Sequence, residues 1–170
     1  MRRLEWVSDC ASCAGLCCEL IAFEASDDFA FDKAAGERCR HLTDDARCAV
    51  HEQRASRGLR GCGLFECYGA GPRATRLLEG EPLAVRIDAF CKLRALGELA
   101  WLLRGAQALC DARMASLGQE LAVALAALES VANAPLAALL HHDSALSERQ
   151  AHALLRRVGA ALGGRPARRP

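Results

Sequence analysis

Eight of the ten cysteines in this 170-residue chain fall before residue 70. They run Cys10-Ala-Ser-Cys13-Ala-Gly-Leu-Cys17-Cys18, then Cys39 and Cys48, then Cys62 and Cys67. A structural zinc site takes four Cys or His ligands at tetrahedral angles, so eight thiols satisfy two such sites without water. Histidine widens the choice. His41 lies two residues after Cys39 and His51 three after Cys48, and either could stand in for a cysteine. If residues 8–20 form a helix, Cys10, Cys13 and Cys17 share one face, while Cys18 projects about 100° from Cys17. Neighbouring cysteines do not easily serve one small tetrahedral ion, so the Cys17-Cys18 pair predicts two ligand sets with one member in each.

Three other chemistries use clustered thiols. An iron–sulfur cluster is one, although the spacing matches neither the bacterial ferredoxin run nor the plant-type one. Disulfides need an oxidising compartment, and the start MRRLEWVSDCASC has basic residues but no apolar run of about 7 to 15 residues behind them, as a secretory signal requires. The expectation is a cytoplasmic chain with reduced cysteines, which favours metal over disulfide bonds. Buried or reactive thiols are the third alternative. Cys91 and Cys110 fit it best, since each stands singly among apolar neighbours and is expected to pack as a small hydrophobe. His141, His142 and His152 have no thiol near them and are expected at the surface.

Charge argues against one class of partner. Up to Pro72 the chain has 9 Lys and Arg against 12 Asp and Glu, and from Arg73 onward 13 against 9, for a net charge of +1. Eight thiolates on two divalent ions would add about four negative charges to the first part, which disfavours gripping phosphates. Nucleic acid is therefore not expected as a partner. No membrane span is expected either, because Arg104 and Asp111 interrupt the longest apolar stretch.

The elements that must position these residues fall into two parts. Residues 1–71 are cysteine-dense and short of long apolar runs, and a module of that size needs a staple. A Gly/Pro cluster at Gly69-Ala70-Gly71-Pro72 closes it. Residues 72–164 read as helices. Pro82 opens one carrying Leu83, Ile87, Phe90, Leu96, Leu99 and Leu103 as far as Cys110, with weak points at Gly97 and Gly105. Met114, Leu117, Leu121, Leu125, Leu128 and Val131 form a second stripe that Pro135 stops. A short piece over 136–140 follows. Ser147 and Gln150 resemble a capping box for a third stripe, Ala151, Leu154, Leu155, Val158 and Leu162, closed by Gly163-Gly164. Residues 165–170 lack periodicity and are expected to be disordered. The fold class expected is mainly α with irregular loops: a metal-stabilised cysteine-rich module followed by a small helical bundle.

Taken together, CASCAGLCC, DFAFDKAAGERCRHL, RCAVH and GLRGCGLFECYGAG resemble the cysteine-rich module at the N-terminus of many actinobacterial pentapeptide-repeat proteins, over residues 10–71. More distantly, the Cys-x-x-Cys start, the vicinal pair, the Cys-x-Val-His word and the final cysteine pair are similar to the families of YkgJ-type zinc- or iron-chelating domains. The resemblance implies metal binding, with Cys10, Cys13, Cys17, Cys18, Cys39, Cys48, Cys62 and Cys67 at matching positions. Two departures stand out: three residues separate Cys13 from Cys17 where the YkgJ type usually has two, and no pentapeptide repeats follow.

The function expected is a zinc- or iron-binding protein whose thiolate sites are structural, acting as a binding or regulatory module with the helices available to a protein partner. Two alternatives accompany it. One is an iron–sulfur or metal-dependent enzyme, which needs an open coordination position or a thiol–imidazole pair such as His51 with Cys67. The other is a chelator or chaperone that receives and releases ions.

Overall fold

The structure, a computed structural model, describes residues 6–163. The tail over 165–170, expected to be disordered, lies outside the described residues. Among the described residues there are seven α-helices and no strand of a sheet. In chain order they are α1 Leu16–Leu20, α2 Arg60–Leu64, α3 Ala70–Leu77, α4 Leu83–Ala108, α5 Ala115–Ala132, α6 Leu136–His141 and α7 Ser144–Ala161. The mainly helical class read from the sequence is thus what the chain adopts.

The chain divides into two compact units, one over Glu5–Arg94 and the other from Ala95 onward. The cysteine unit therefore reaches past the Gly/Pro cluster to take in α3 and the first half of α4. Three contacts explain this. The amide of Ala14 donates to the Thr75 hydroxyl on α3 at 2.9 Å. The Arg86 guanidinium on α4 forks onto the Glu19 carboxylate of α1 at 2.9 and 2.6 Å. Arg94 lies over the Phe65 ring, 5.3 Å from its centroid. Gly/Pro punctuation marks where a helix starts, and says nothing about which core that helix joins.

Within the cysteine unit, Trp6, Leu16, Leu20, Leu59, Ala74, Leu78, Phe90 and Leu93 make a small core. The rest of its order comes from turns. Phe23 and Lys33 exchange backbone hydrogen bonds at 3.0 and 2.8 Å, closing an irregular loop over which Phe23 stacks on Phe29 with centroids 4.4 Å apart. A second turn runs through Thr43, whose amide and hydroxyl both donate to the Arg47 carbonyl, at 2.8 and 2.7 Å.

The second unit builds its core from stripes. Leu117, Leu121, Leu125, Leu128 and Ala132 of α5 are buried, and α5 packs on α6 and α7. On α4, Leu96, Leu99 and Leu103 are buried as their spacing predicts, and the helix runs unbroken through Gly97 and Gly105. Two details differ from expectation. The cap of α7 is Asp143, whose carboxylate accepts from the Leu146 amide at 3.0 Å, while Ser147 sits inside the helix with its hydroxyl 2.8 Å from His142 Nε2. Cys91 is exposed on α4 rather than packed in a core.

Residues Ala112–Ala132 are long and apolar enough to cross a membrane by length and composition. Core helices meet the same criterion. Here the leucine stripe faces α6 and α7, while Glu120 is tied to Arg157 and Glu129 to Arg104.

Candidate metal centre

The first cysteine word does not form one helix. Cys10–Ser12 is a single 3₁₀ turn capped by Asp9, which accepts from the Ala11 amide at 3.0 Å and the Ser12 hydroxyl at 2.6 Å. The chain then extends at Cys13 and reverses at Gly15, whose φ of 68° is left-handed, before α1 begins. The left-handed φ favours glycine at residue 15, and a Cβ there would also displace the Leu42 side chain, whose Cδ1 would lie 2.6 Å away. The shared helical face expected for Cys10, Cys13 and Cys17 is thus replaced by a turn, a kink and a helix start. Arg47 holds the turn in place by donating to the carbonyls of Cys10 and Ala11.

Tertiary contacts then collect the cysteines that lie far apart in sequence. The Cys39 amide donates to the Cys18 carbonyl at 2.9 Å, bringing the second segment against α1. The Thr43 turn pairs Leu42 with Cys48, and the Ala49 amide donates to His41 at 2.8 Å, so the Cys39–His41 and Cys48–His51 segments lie side by side. The Cys62 amide donates to Leu59, and the Gly61 amide to Asp28, which sets α2 on the phenylalanine loop. Cys67 is fixed by Ser8: its amide donates to the Ser8 hydroxyl at 3.1 Å and its sulfur lies 2.9 Å from the same oxygen.

Two adjoining hollows result. The larger, about 170 Å³, is lined by Cys17, Cys18, Cys39, Cys48, Cys62, His41 and His51 together with Phe23, Phe29, Phe65, Ile21, Leu59 and Arg54. The smaller is lined by Cys10, Cys13, Cys18, Cys48 and His51. Cys18, Cys48 and His51 border both. Cys67 stands beside Cys13 across Gly71: a Cβ on that glycine would lie 2.8 Å from Cys13 Sγ and 3.6 Å from Cys67 Sγ. All ten cysteines are free thiols.

The vicinal pair behaves differently from the sequence expectation of divergent side chains. Cys17 Sγ and Cys18 Sγ are 3.9 Å apart. That separation is close to the edge of about 3.8 Å that metal–sulfur bonds of about 2.3 Å set in a tetrahedron, so the pair is able to face one ion together. Among the described residues, however, no group of three or more His, Cys, Asp or Glu side chains is drawn tightly enough together to hold an ion. The thiols ring the hollows rather than converging on one point.

Electrostatics follow from this crowding. The Cys17 thiol is pushed well up by the hydrogen bond and charge of Cys18 and by burial. Burial pushes Cys10 up, with Cys17, Cys67 and Cys13 adding to it and Arg54 opposing. Burial likewise raises Cys62, reinforced by Cys39, Cys17 and Cys48. Cys13 is raised by burial against the amides of Leu16 and Gly15 and the Thr75 hydroxyl. Cys17 thus acts on a thiol of each hollow. These groups hold their protons at neutral pH, and a cation that binds them must expel those protons.

The histidines are placed by other partners. His51 Nδ1 lies 2.8 Å from the Glu52 carboxylate, and the His41 ring is tilted against Phe31 at 5.9 Å. The thiol–imidazole pair considered for His51 and Cys67 finds each engaged elsewhere, with Glu52 and Ser8. Sequence reasoning missed Arg54 and the three phenylalanines of the larger hollow, Phe23, Phe29 and Phe65. The phenylalanine-rich run FEASDDFAF was the available signal for Phe23 and Phe29, but nothing in it tells which ring lines the hollow, and Phe65 lies outside it.

No family model matches the chain, and no solved structure matches it. A curated relative, the uncharacterized protein YybG of Bacillus subtilis strain 168, is 36% identical over 107 residues, covering 58% of this chain. The chain spans 38% of that relative's length.

Proposed function

We propose that the Glu5–Arg94 unit is a thiolate metal-binding module for zinc or iron, in which the bound metal organises a fold that its small apolar core supports only weakly. The observation that carries this reading is the gathering of seven free thiols around two adjoining hollows, with an eighth, Cys67, beside Cys13. The donor set is right for zinc or for iron with sulfide, and the similarity of the cysteine pattern to YkgJ-type chelating domains points the same way. The thiols of the larger hollow, Cys17 and Cys18 together with Cys39, Cys48 and Cys62, would form one set; Cys10 and Cys13 with the neighbouring Cys67 would form the second. His41 and His51 are the substitutes at the borders. Bound ions would add positive charge to that of Arg54 beside these crowded thiolates, and a reducing, cytoplasmic setting would keep them available.

A second reading, metal handling, is favoured by a specific observation. Cys10 is exposed and no three ligands are already tightly converged, which suits an ion that exchanges. Metal analysis of protein purified without added metal tests the first reading: one to two zinc or iron ions per chain are expected. A colourless protein indicates zinc, and a brown one with inorganic sulfide indicates a cluster. Cys18→Ser should lower the bound metal and Cys91→Ser leave it unchanged. A fully folded, metal-free chain lacking disulfides would refute the proposal, and rapid loss of the ion to a chelator would favour the carrier.

A further inference from the structure

Cys17 and Cys18 do more than line the larger hollow, because their sulfurs are in contact, 3.9 Å apart, at the start of α1. Both are half-buried free thiols. Among the described residues no third His, Cys, Asp or Glu side chain is drawn close enough to complete an ion site with them. The geometry that the fold itself provides is therefore a two-thiol one.

The space beside the pair has the size of an aromatic ring. The hollow of about 170 Å³ that both cysteines line is walled by Phe23, Phe29, Phe65, Ile21 and Leu59, with Arg54 and the two histidines as its polar part. An apolar cavity of about 150 Å³ lined by leucine, isoleucine and phenylalanine admits benzene. Two of the rings are held without a ligand, since Phe23 stacks on Phe29, and Leu59 is buried behind them at 2% exposure. Phe23, Phe29, Phe65 and Ile21 are half-buried, so the hollow is reached from solvent.

Two touching thiols beside a ring-sized apolar space match one ligand chemistry. A trivalent arsenic centre that carries one organic group has two exchangeable positions left, and thiols take them. We infer that Cys17 and Cys18 form a binding site for monosubstituted trivalent arsenicals, with an aryl group seated in the phenylalanine-lined hollow. Two As–O and two S–H bonds break, two As–S bonds form, and the hydroxyls leave with the thiol protons as two waters. Arsenic stays trivalent and no electron is transferred. The product is uncharged, so seating it among phenylalanines avoids the desolvation cost of a thiolate-bound ion. The site uses two of the thiols assigned to a metal above and does not depend on that assignment.

Phenylarsine oxide and its methyl counterpart test the inference on the full chain, under anaerobic conditions with a phosphine reductant. Native mass spectrometry reads arsenic and any metal ion on the same molecule. One phenylarsenic unit per chain is expected, bound about tenfold more tightly than methylarsenic because the ring is buried. In urea, followed by loss of titratable thiols, the vicinal pair should still chelate but the preference should vanish. Cys17→Ser and Cys18→Ser should each weaken binding at least about 100-fold, since a chelate loses its second arm. Cys10→Ser and Cys13→Ser should leave it unchanged. Ile21→Phe, which fills part of the hollow, should weaken the phenyl compound and spare the methyl one. The inference fails if the folded chain does not distinguish phenyl from methyl, if the preference survives in urea, or if a folded Ile21→Phe chain keeps it intact. It fails equally if several phenylarsenic units bind with like affinity, or if Cys10→Ser or Cys13→Ser matches Cys17→Ser in effect. Zinc or iron on a chain that fails these tests leaves the metal reading standing, whereas arsenic bound as expected on a chain without zinc or iron overturns that reading alone.

Discussion

The two units solve the problem of folding with different materials. From Ala95 onward, leucines at three- and four-residue spacing bury one face of each helix, and ion pairs such as Arg104–Glu129 decorate the outside. In the Glu5–Arg94 unit the helices that come before α4 are at most eight residues long, and the loops between them are held by side chains on backbone groups: Asp9 on Ala11, Arg47 on Cys10, Thr43 on Arg47, Lys33 on three carbonyls. Hydrogen bonds of this kind each contribute about 1 kcal/mol and orient groups well, but they do not replace a core. The contrast is why the proposed staple belongs in the unit where eight of the thiols lie.

The sharpest way to break this comparison is to strip the proposed metal. A strong chelator should expose the amides of residues 6–94 to fast hydrogen exchange while those of α5 stay slow, since a site absent from the unfolded chain makes binding energy part of folding energy. Equal loss of protection in both units would show that they share one source of stability. The converse test acts on the leucine stripe. Leu121→Ala, at a fully buried position, should cost about 2–5 kcal/mol in denaturant melts followed on the second unit, with metal content unchanged.

Smaller effects sharpen the contrast further. Arg86→Met removes the forked pair with half-buried Glu19 and should cost about 1 kcal/mol, read as faster exchange at the start of α4. Gly71→Ala places a methyl 2.8 Å from Cys13 Sγ. A free thiol can rotate away whereas a ligated one cannot, so the substitution should leave metal-free stability nearly unchanged and weaken metal binding several-fold.

The smallest effect concerns pH. Cys10, Cys13, Cys17 and Cys62 are all raised above the ordinary thiol value of 9.0. The folded, metal-free unit therefore keeps protons that the unfolded chain gives up, and its stability is full below about pH 9 and declines above it. Metal uptake has the opposite sign, releasing protons and strengthening as pH rises. Melting the chelated protein across pH 7–10.5 beside a metal titration at the same pH values checks both directions.

Much of the second unit was legible in the sequence because a helix writes its partner-facing side at fixed local spacing. Leu117, Leu121, Leu125 and Leu128 needed no other information. The cap of α7 was misplaced from Asp143 to Ser147 because both residue types cap helices, and which one does is decided by where the chain leaves α6. The candidate site was legible in composition only. The eight cysteines were identifiable as a group, but a helix over residues 8–20 was wrong at Gly15, where left-handed backbone and the close approach of Leu42 interrupt it.

What the sequence determined by itself is which residue types are present and where local periodicity makes helices: a thiol-rich first part, three apolar stripes, and a Gly/Pro break between them. Only the tertiary structure decided that α3 and the start of α4 belong with the cysteines, that Cys17 and Cys18 bring their sulfurs to 3.9 Å, and that Lys33 is buried with its ammonium on three carbonyls. The physical reason is one of range. Helical stripes depend on neighbours three and four residues away, whereas loop conformation depends on single hydrogen bonds between groups up to 61 residues apart, such as Ala14 to Thr75. Spacing along a chain carries no record of such bonds until the chain has folded.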